Sequence, residues 1–313
     1  MSLAIELIAP SGYPKDPAAV ARGIARLERE GATVRGAEVA TRRLERFAGT
    51  DDERLADINR LADPRRPLAD IVMAVRGGYG ASRLLDRIDY AGLRRRFEGT
   101  STMIVGHSDF TAIQLALLAK SGLVTFGGPM LCGNFGVADA SYSAFMHAHF
   151  WNAVRGPVIN VESTRPQVHT LNVRGTLWGG NLAMIASLVG TPYLPRIDGG
   201  ILFLEDIGER PYRIERMLYQ LHQAGILARQ QAIVLGDFSQ SDPVPYDNGY
   251  DVADAVAQIR AQTGVPILTG LQFGHCDDIV TLPVGASARL MSDPDGFVLE
   301  VSGYPCVGRA RAA

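Results

Sequence analysis

A chain of 313 residues and 33.7 kDa has room for two domains. With 47% apolar and 20% charged residues it should build a sizeable core rather than stay disordered. Lys and Arg number 31 against 33 Asp and Glu, a formal charge of −2, so the basic clustering that marks a duplex nucleic-acid binder is missing.

Leu3 to Ala9 reads as a strand stopped by Pro10-Ser11-Gly12. Val20, Ile24 and Leu27 then fall at i, i+4 and i+7 with Arg22, Arg26 and Arg29 between them, a helix with one buried stripe. Leu55, Ile58 and Leu61 repeat that spacing after Thr50-Asp51-Asp52-Glu53, a helix start with acids in its first turn. Two short apolar runs follow. Ile71 to Val75 ends at Arg76-Gly77-Gly78-Tyr79-Gly80, and Met103 to Val105 ends at Gly106-His107-Ser108-Asp109, ahead of a helix from about Thr111 to Lys120. Short buried strands alternating with helices imply an α/β fold with a parallel sheet covered on both faces. Ligands of such sheets sit beyond the carboxyl ends of the strands, where both Gly-containing segments lie.

After the aromatic helical stretch from Tyr142 to Trp151 the composition shifts. The organisation expected is a first domain over 1–155, a linker over 156–170 with one short strand, and a second domain over 171–313. In that second part Gly175 to Leu182 precedes an apolar stretch, Ile201 to Leu204 is a strand ending in Glu205-Asp206, a helix spans about 211–224, and Ala232 to Leu235 is a strand. Gly264 to Leu268 comes before Gly274-His275. There is no internal repeat and no low-complexity tract.

Three scattered cysteines, Cys132, Cys276 and Cys306, lack C-x-x-C spacing. They argue against a disulfide framework or a thiolate metal cage and for a reducing compartment. Met1 to Pro10 has no basic leader region, and no apolar run reaches the ~20 residues of a membrane span. The expectation is a soluble, cytoplasmic protein that engages neither membrane nor nucleic acid.

Ser108 stands where a strand turns into a helix. Free N–H groups and a partial positive charge at the helix start can hold an oxyanion there, and Gly106 permits a sharp turn. The pattern is close to a nucleophile elbow, with Phe110 in place of the second glycine; the alternative is a plain N-cap. A serine nucleophile needs a base. His107 adjoins Ser108 and should point to the opposite face. His147 and His149 are two apart on a helix and do not share a face, which speaks against a metal pair. His222 reads as surface, and His169 carries no cue. His275, past an apolar strand in a glycine-rich loop, is the best placed. The orienting acid could be Glu205, at the mouth of its strand, with Asp109, Asp237 and Asp277 as alternatives, while Asp206 should point the other way if the strand continues. Cys276 should face away from His275 as a packing residue. No HExxH, EF-hand or phosphate-loop pattern occurs, so no metal and no cofactor is implied.

Six segments then carry a resemblance: Ile8 to Gly12, Val75 to Gly80, Gly106 to Ala112, Leu177 to Leu182, Phe203 to Ile207 and Phe273 to His275. In this order the chain resembles the serine LD-carboxypeptidases from about residue 5 to about residue 303. The resemblance implies a Rossmann-like N-terminal domain joined to a C-terminal α/β domain with a small barrel-like sheet, often as a homodimer. It implies a cytoplasmic, metal-independent enzyme that removes the terminal D-alanine from the tetrapeptide stem of recycled muropeptides. Ser108 then matches the nucleophile, and Glu205 and His275 its relay partners. Gly78 and Asp109 match the oxyanion N–H donors, and Trp178 and Asn181 fall in a segment expected at the substrate cleft. Arg76, Arg83 and Arg210 are candidates for the substrate carboxylate. The rival readings are an immunity-type peptidase acting on a peptidyl or aminoacyl nucleotide, a non-catalytic two-domain binding protein, and a nucleotide-dependent enzyme.

Overall fold

The computed structural model describes residues 3–307. Strand β1 (Leu3–Ile8) leads into α1 (Pro17–Arg29), which Asp16 caps by accepting from the Ala18 N–H while a proline fills the first turn. Arg26 does not lie on the polar face that its spacing suggested. It is buried and donates to the Phe135 and Val137 carbonyls, each at 2.7 Å, besides pairing with Asp139. Spacing shows which face is apolar, but not that a long side chain can reach back to carbonyls and satisfy its charge there.

Next come β2 (Ala32–Arg35) and α2 (Asp51–Asn59), whose start is the full capping box of Thr50 and Glu53. Then follow β3 (Ile71–Ala74), α3 (Tyr90–Phe97), β4 (Met103–Gly106), α4 (Thr111–Ser121) and β5 (Thr125–Gly127). β3 and β4 are buried at every residue, as a strand covered by helices on both faces must be. These five strands are parallel in the order β5-β4-β3-β1-β2. The order reverses between β1 and β3, which opens a crevice beyond their carboxyl ends. Residues 9–12 and 75–80 flank it, and the end of β4 adjoins it.

The chain continues through α5 (Ala144–Arg155), β6 (Val158–Ser163), β7 (Leu171–Asn181), α6 (Leu182–Ser187), β8 (Gly200–Ile207), α7 (Pro211–Gln223) and β9 (Gln230–Ser239). It ends with α8 (Val252–Thr263), β10 (Ile267–Thr269), β11 (Leu282–Val284), β12 (Ala286–Asp293) and β13 (Gly296–Ser302). The second sheet runs β10-β9-β8-β7-β12-β13-β6, parallel as far as β7 and antiparallel beyond it.

Two features blur the expected boundaries. The stretch 156–170 is more than a linker, because β6 is the edge strand of the second sheet, paired with β13. β11 crosses back to pair antiparallel with β5 in the first sheet, so the two halves share a hydrophobic core. The expected second domain also includes 308–313, which lie outside the described residues.

The second sheet is not a closed barrel; its ladder ends at β10 and β6. Its rims still approach one another. The Gln167 amide donates to the Thr269 carbonyl at 2.9 Å and accepts from the Thr269 N–H at 3.1 Å, so one side chain spans the gap. Among the described residues no helix is long and apolar enough to cross a membrane.

Candidate active site

β4 delivers the chain to Ser108 at φ +64°, a left-handed conformation that a non-glycine residue adopts only at a cost of about 1–3 kcal/mol. An N-cap serine is extended instead, so Ser108 is not a plain N-cap, and its backbone has the strained turn of an elbow. The absent second glycine is explained by Phe110, fully buried against Gly106. A Cβ on Gly106 would lie 2.5 Å from the Phe110 ring, so glycine is required there to admit that ring.

From the second sheet come two further side chains. His275 follows β10, after Gly274 at φ +146°, and its Nε2 lies 3.1 Å from Ser108 Oγ. Its Nδ1 lies 2.8 Å from Glu205 Oε2 at the end of β8. A neutral imidazole with its proton on Nδ1 satisfies both contacts: it donates to Glu205 and accepts from the serine hydroxyl. Burial works to lower the His275 pKa, but the hydrogen bond and charge of Glu205, helped by Asp206 and Asp237, leave it raised above 6.5.

Glu205 is fully buried, and its other oxygen accepts from Asn181 Nδ2 at 3.1 Å. The same Nδ2 lies 3.1 Å from Asp206 Oδ1, while Asp206 Oδ2 accepts from the Ala183 N–H. Burial pushes the Asp206 carboxyl up to about 6. The other acids weighed from sequence do other things. Asp109 is buried beneath the elbow, Asp237 holds Ser239, and Asp277 lines the pocket.

The pocket in front of Ser108 has a volume of about 370 Å³. Its glycine-rich wall lies close to Ser108: a Cβ on Gly77 would sit 2.8 Å from Ser108 Oγ and 3.4 Å from the Asp109 backbone nitrogen. Gly78, at φ +112°, lines the same pocket, as does Arg76, whose Nη1 donates to the Tyr13 carbonyl at 3.0 Å. Arg83 pairs with Asp51 and Arg210 donates to the Asp242 carbonyl, and neither lines the pocket.

Trp178 and Asn181 do not lie in the cleft. Trp178 is buried, with its indole N–H donating to Gln230 Oε1, and Asn181 sits behind Glu205 and caps α6. Cys276, expected to face away from His275, lines the pocket beside it, its thiol pushed up to about 11 by burial.

Sequence reasoning passed over several contributors to the pocket, polar side chains among them. Lys15 and Asp16 come from the turn before α1 and Cys132 from the helical turn Leu131–Phe135. The loop after β1 could have been found by the rule that located the other two, since it too follows a strand of the parallel sheet. His107 also lines the pocket despite its set-aside orientation. Its Nδ1–H donates to the Gly128 carbonyl at 2.9 Å and its ring packs edge-on to His275, with centroids 5.3 Å apart. Burial, with the charge of His275, lowers its pKa to about 4.

Of the remaining histidines, His147 contacts Tyr142 and Glu30 and His149 packs at a tilt against Phe145. Among the described residues no group of three or more His, Cys, Asp or Glu side chains is arranged to hold a metal ion.

Family models match both halves of the chain: the LD-carboxypeptidase N-terminal domain over residues 5–128 and the LD-carboxypeptidase C-terminal domain over 174–290. A probable murein peptide carboxypeptidase of Bacillus subtilis is 31% identical over 304 residues, 95% of this chain and 91% of that protein. The solved structure of muramoyltetrapeptide carboxypeptidase from Oxalobacter formigenes superposes with a TM-score of 0.89 at 45% identity, covering 96% of this chain and 99% of that one. The microcin C7 self-immunity protein of Escherichia coli is 26% identical over 305 residues, 87% of this chain and 85% of that protein.

Proposed function

The chain belongs to the LD-carboxypeptidase family, and on that premise we propose that it removes the terminal D-alanine from muropeptide tetrapeptides in peptidoglycan recycling. The observation that carries the reading is the hydrogen-bonded line Ser108–His275–Glu205 on a strained elbow. His275 Nε2 takes the Ser108 proton as Oγ attacks the scissile carbonyl, and Glu205 stabilises the imidazolium that forms. The backbone N–H groups of Gly78 and Asp109 receive the developing oxyanion, each such donor being worth ~100–1000-fold in rate. His275 then protonates the leaving amine of D-alanine, and water, deprotonated by the same imidazole, hydrolyses the acyl-enzyme. The reading carries with it a cytoplasmic homodimer whose chemistry needs neither metal nor cofactor.

The test is incubation with muramoyl tetrapeptide and with free L-Ala-γ-D-Glu-meso-diaminopimelate-D-Ala, with and without chelator, and D-alanine measured by mass spectrometry. Release by the wild type, with or without chelator, and none by a folded Ser108→Ala variant is the expected result. An active Ser108→Ala variant sinks the proposal. The similarity to a self-immunity protein favours a second reading, cleavage of a peptidyl or aminoacyl nucleotide. Turnover of such a conjugate in place of either tetrapeptide would favour it.

A further inference from the structure

The residue after the nucleophile does more than present a backbone N–H. The Asp109 side chain points down beneath the elbow, where it is buried, and its Oδ2 accepts two hydrogen bonds from two different loops. One comes from the Ser11 hydroxyl at 2.6 Å, in the loop after β1; the other comes from the Ala81 N–H at 2.9 Å, where the glycine-rich turn ends. Asp109 Oδ1 has no protein partner among the described residues.

A second buried group ties the same loops together. Arg54, on α2 and fully buried, donates through Nη1 to the Pro10 carbonyl and, at 3.0 Å, to the Gly80 carbonyl, and pairs through Nη2 with Asp51. Its planar fork can hold several acceptors at fixed angles, which a lysine could not do. The loops also touch directly, the Gly12 N–H donating to the Gly77 carbonyl at 3.1 Å. Residues 76–81 thus hang from the first loop at Gly77, from Arg54 at Gly80 and from Asp109 at Ala81. Between these anchors lies Gly78, and Gly77 packs against Ser108.

The turn cannot hold its own shape. Gly78 and Gly80 have φ of +112° and +132°, regions that glycine enters without fixing the chain there. An oxyanion donor needs placement to a fraction of an ångström, because its advantage over water is that it does not reorganise during reaction. We propose that Asp109, with Arg54, is a positioning residue: its carboxylate clamps the loop after β1 and the turn 76–81 to the nucleophile elbow and so sets the oxyanion site. Asp109 would then serve twice, by its backbone at the oxyanion and by its side chain beneath it. The inference rests on the carboxypeptidase reading for its kinetic consequence alone; the clamp itself is a matter of geometry.

Three variants test it. Ser11→Ala deletes one bond with little change in volume, and Asp109→Ala deletes both. Asp109→Asn can accept both through its remaining oxygen, its amide nitrogen taking the place of the unpartnered Oδ1. The expected kcat losses are about 10-fold for Ser11→Ala and about 100-fold for Asp109→Ala, with KM within about 2-fold, since the defect lies in the transition state. Asp109→Asn should recover at least about ten-fold of the alanine loss. Amide hydrogen exchange followed by mass spectrometry should show residues 76–81 exchanging faster in both alanine variants, with α4 unchanged.

Should Asp109→Ala fail to fold, Ser11→Ala decides. A folded Ser11→Ala variant with wild-type exchange over 76–81, or with wild-type kcat, overturns the proposal. Absence of D-alanine release from the wild type would sink the carboxypeptidase reading instead, and the exchange measurement would then judge the clamp by itself.

Discussion

Nδ1 of His275 lies 2.8 Å from Oε2 of Glu205, a carboxylate with no exposure to solvent whose other oxygen is held by Asn181. Because Asn181, whose amide also donates to Asp206, holds the carboxylate from behind, the imidazole has one orientation in which its Nε2 faces Ser108. Glu205→Gln keeps the shape but can present an N–H to Nδ1, which favours the wrong tautomer. A fall in kcat of ~10³–10⁴-fold is expected from the corresponding change in a Ser-His-Asp system, with the fold retained by circular dichroism. Near-wild-type turnover of that variant would remove Glu205 from the relay.

The same contact sets a pH profile. Glu205 raises the His275 pKa above 6.5 against the pull of burial, and the proposed reaction needs the neutral imidazole. kcat/KM should therefore fall as pH drops through an apparent value above 6.5, and the limb of Glu205→Gln, measured on its residual activity, should shift downward. For stability the sign is opposite. A raised histidine pKa contributes stability that is fully present below 6.5 and lost as pH rises through the folded value. A wild-type limb below 6.5 would contradict the assignment.

His107 carries a different sign. Held neutral until about pH 4, it leaves the unfolded chain binding more protons between 6.5 and about 4, so stability falls with pH there by on the order of 3 kcal/mol. Asp206, raised from 3.8 to about 6, contributes stability that is full below 3.8 and lost as pH rises through about 6, which masks the histidine. His107→Gln can still donate to the Gly128 carbonyl but cannot be protonated. Its melting temperature relative to wild type should rise between pH 7.5 and 4.5; a constant difference would show that His107 is not kept neutral.

Gly77→Ala tests the wall of the nucleophile pocket. The φ of Gly77 is not positive, so the backbone accepts an alanine, and the added methyl meets Ser108 Cβ at 2.7 Å and Oγ at 2.8 Å. A displacement of the nucleophile on that scale costs about 100-fold or more in kcat. An alanine variant with unchanged kcat would mean that the serine moves aside without consequence.

How much of this was legible in the sequence depends on whether the signal was local. The capping box at Thr50 and Glu53 and the strand ends that carry Ser108 and Glu205 are encoded within a few residues, and the structure has them where the sequence suggested. Trp178 and Asn181 show the limit. Alternation along β7 says that neighbours face opposite ways, not which face meets the cleft. Arg26 and Arg54 were invisible as buried groups because the carbonyls that satisfy them lie 26–111 residues away in the chain. The return of β11 to the first sheet is likewise a three-residue pairing with no local mark.

In the proposed reaction the substrate's terminal carboxylate needs a partner, and of the three arginines weighed from the sequence only Arg76 lines the pocket. Its Nη1 is anchored on the Tyr13 carbonyl, which orients the guanidinium at little entropic cost to binding. A charge-assisted hydrogen bond is worth about 1.5–3 kcal/mol, so Arg76→Met should raise KM about 10- to 150-fold and leave kcat nearly unchanged, the pattern of lost uniform binding. Arg83→Ala and Arg210→Ala, whose partners are Asp51 and the Asp242 carbonyl, should leave KM as it is. A tetrapeptide ending in D-alaninamide separates charge recognition from simple crowding. Wild type should bind it far more weakly than the acid, and Arg76→Met should treat the two alike. If Arg76→Met still discriminates between acid and amide as strongly as wild type, the carboxylate is read by another group, with Lys15 on the same pocket wall the next to replace.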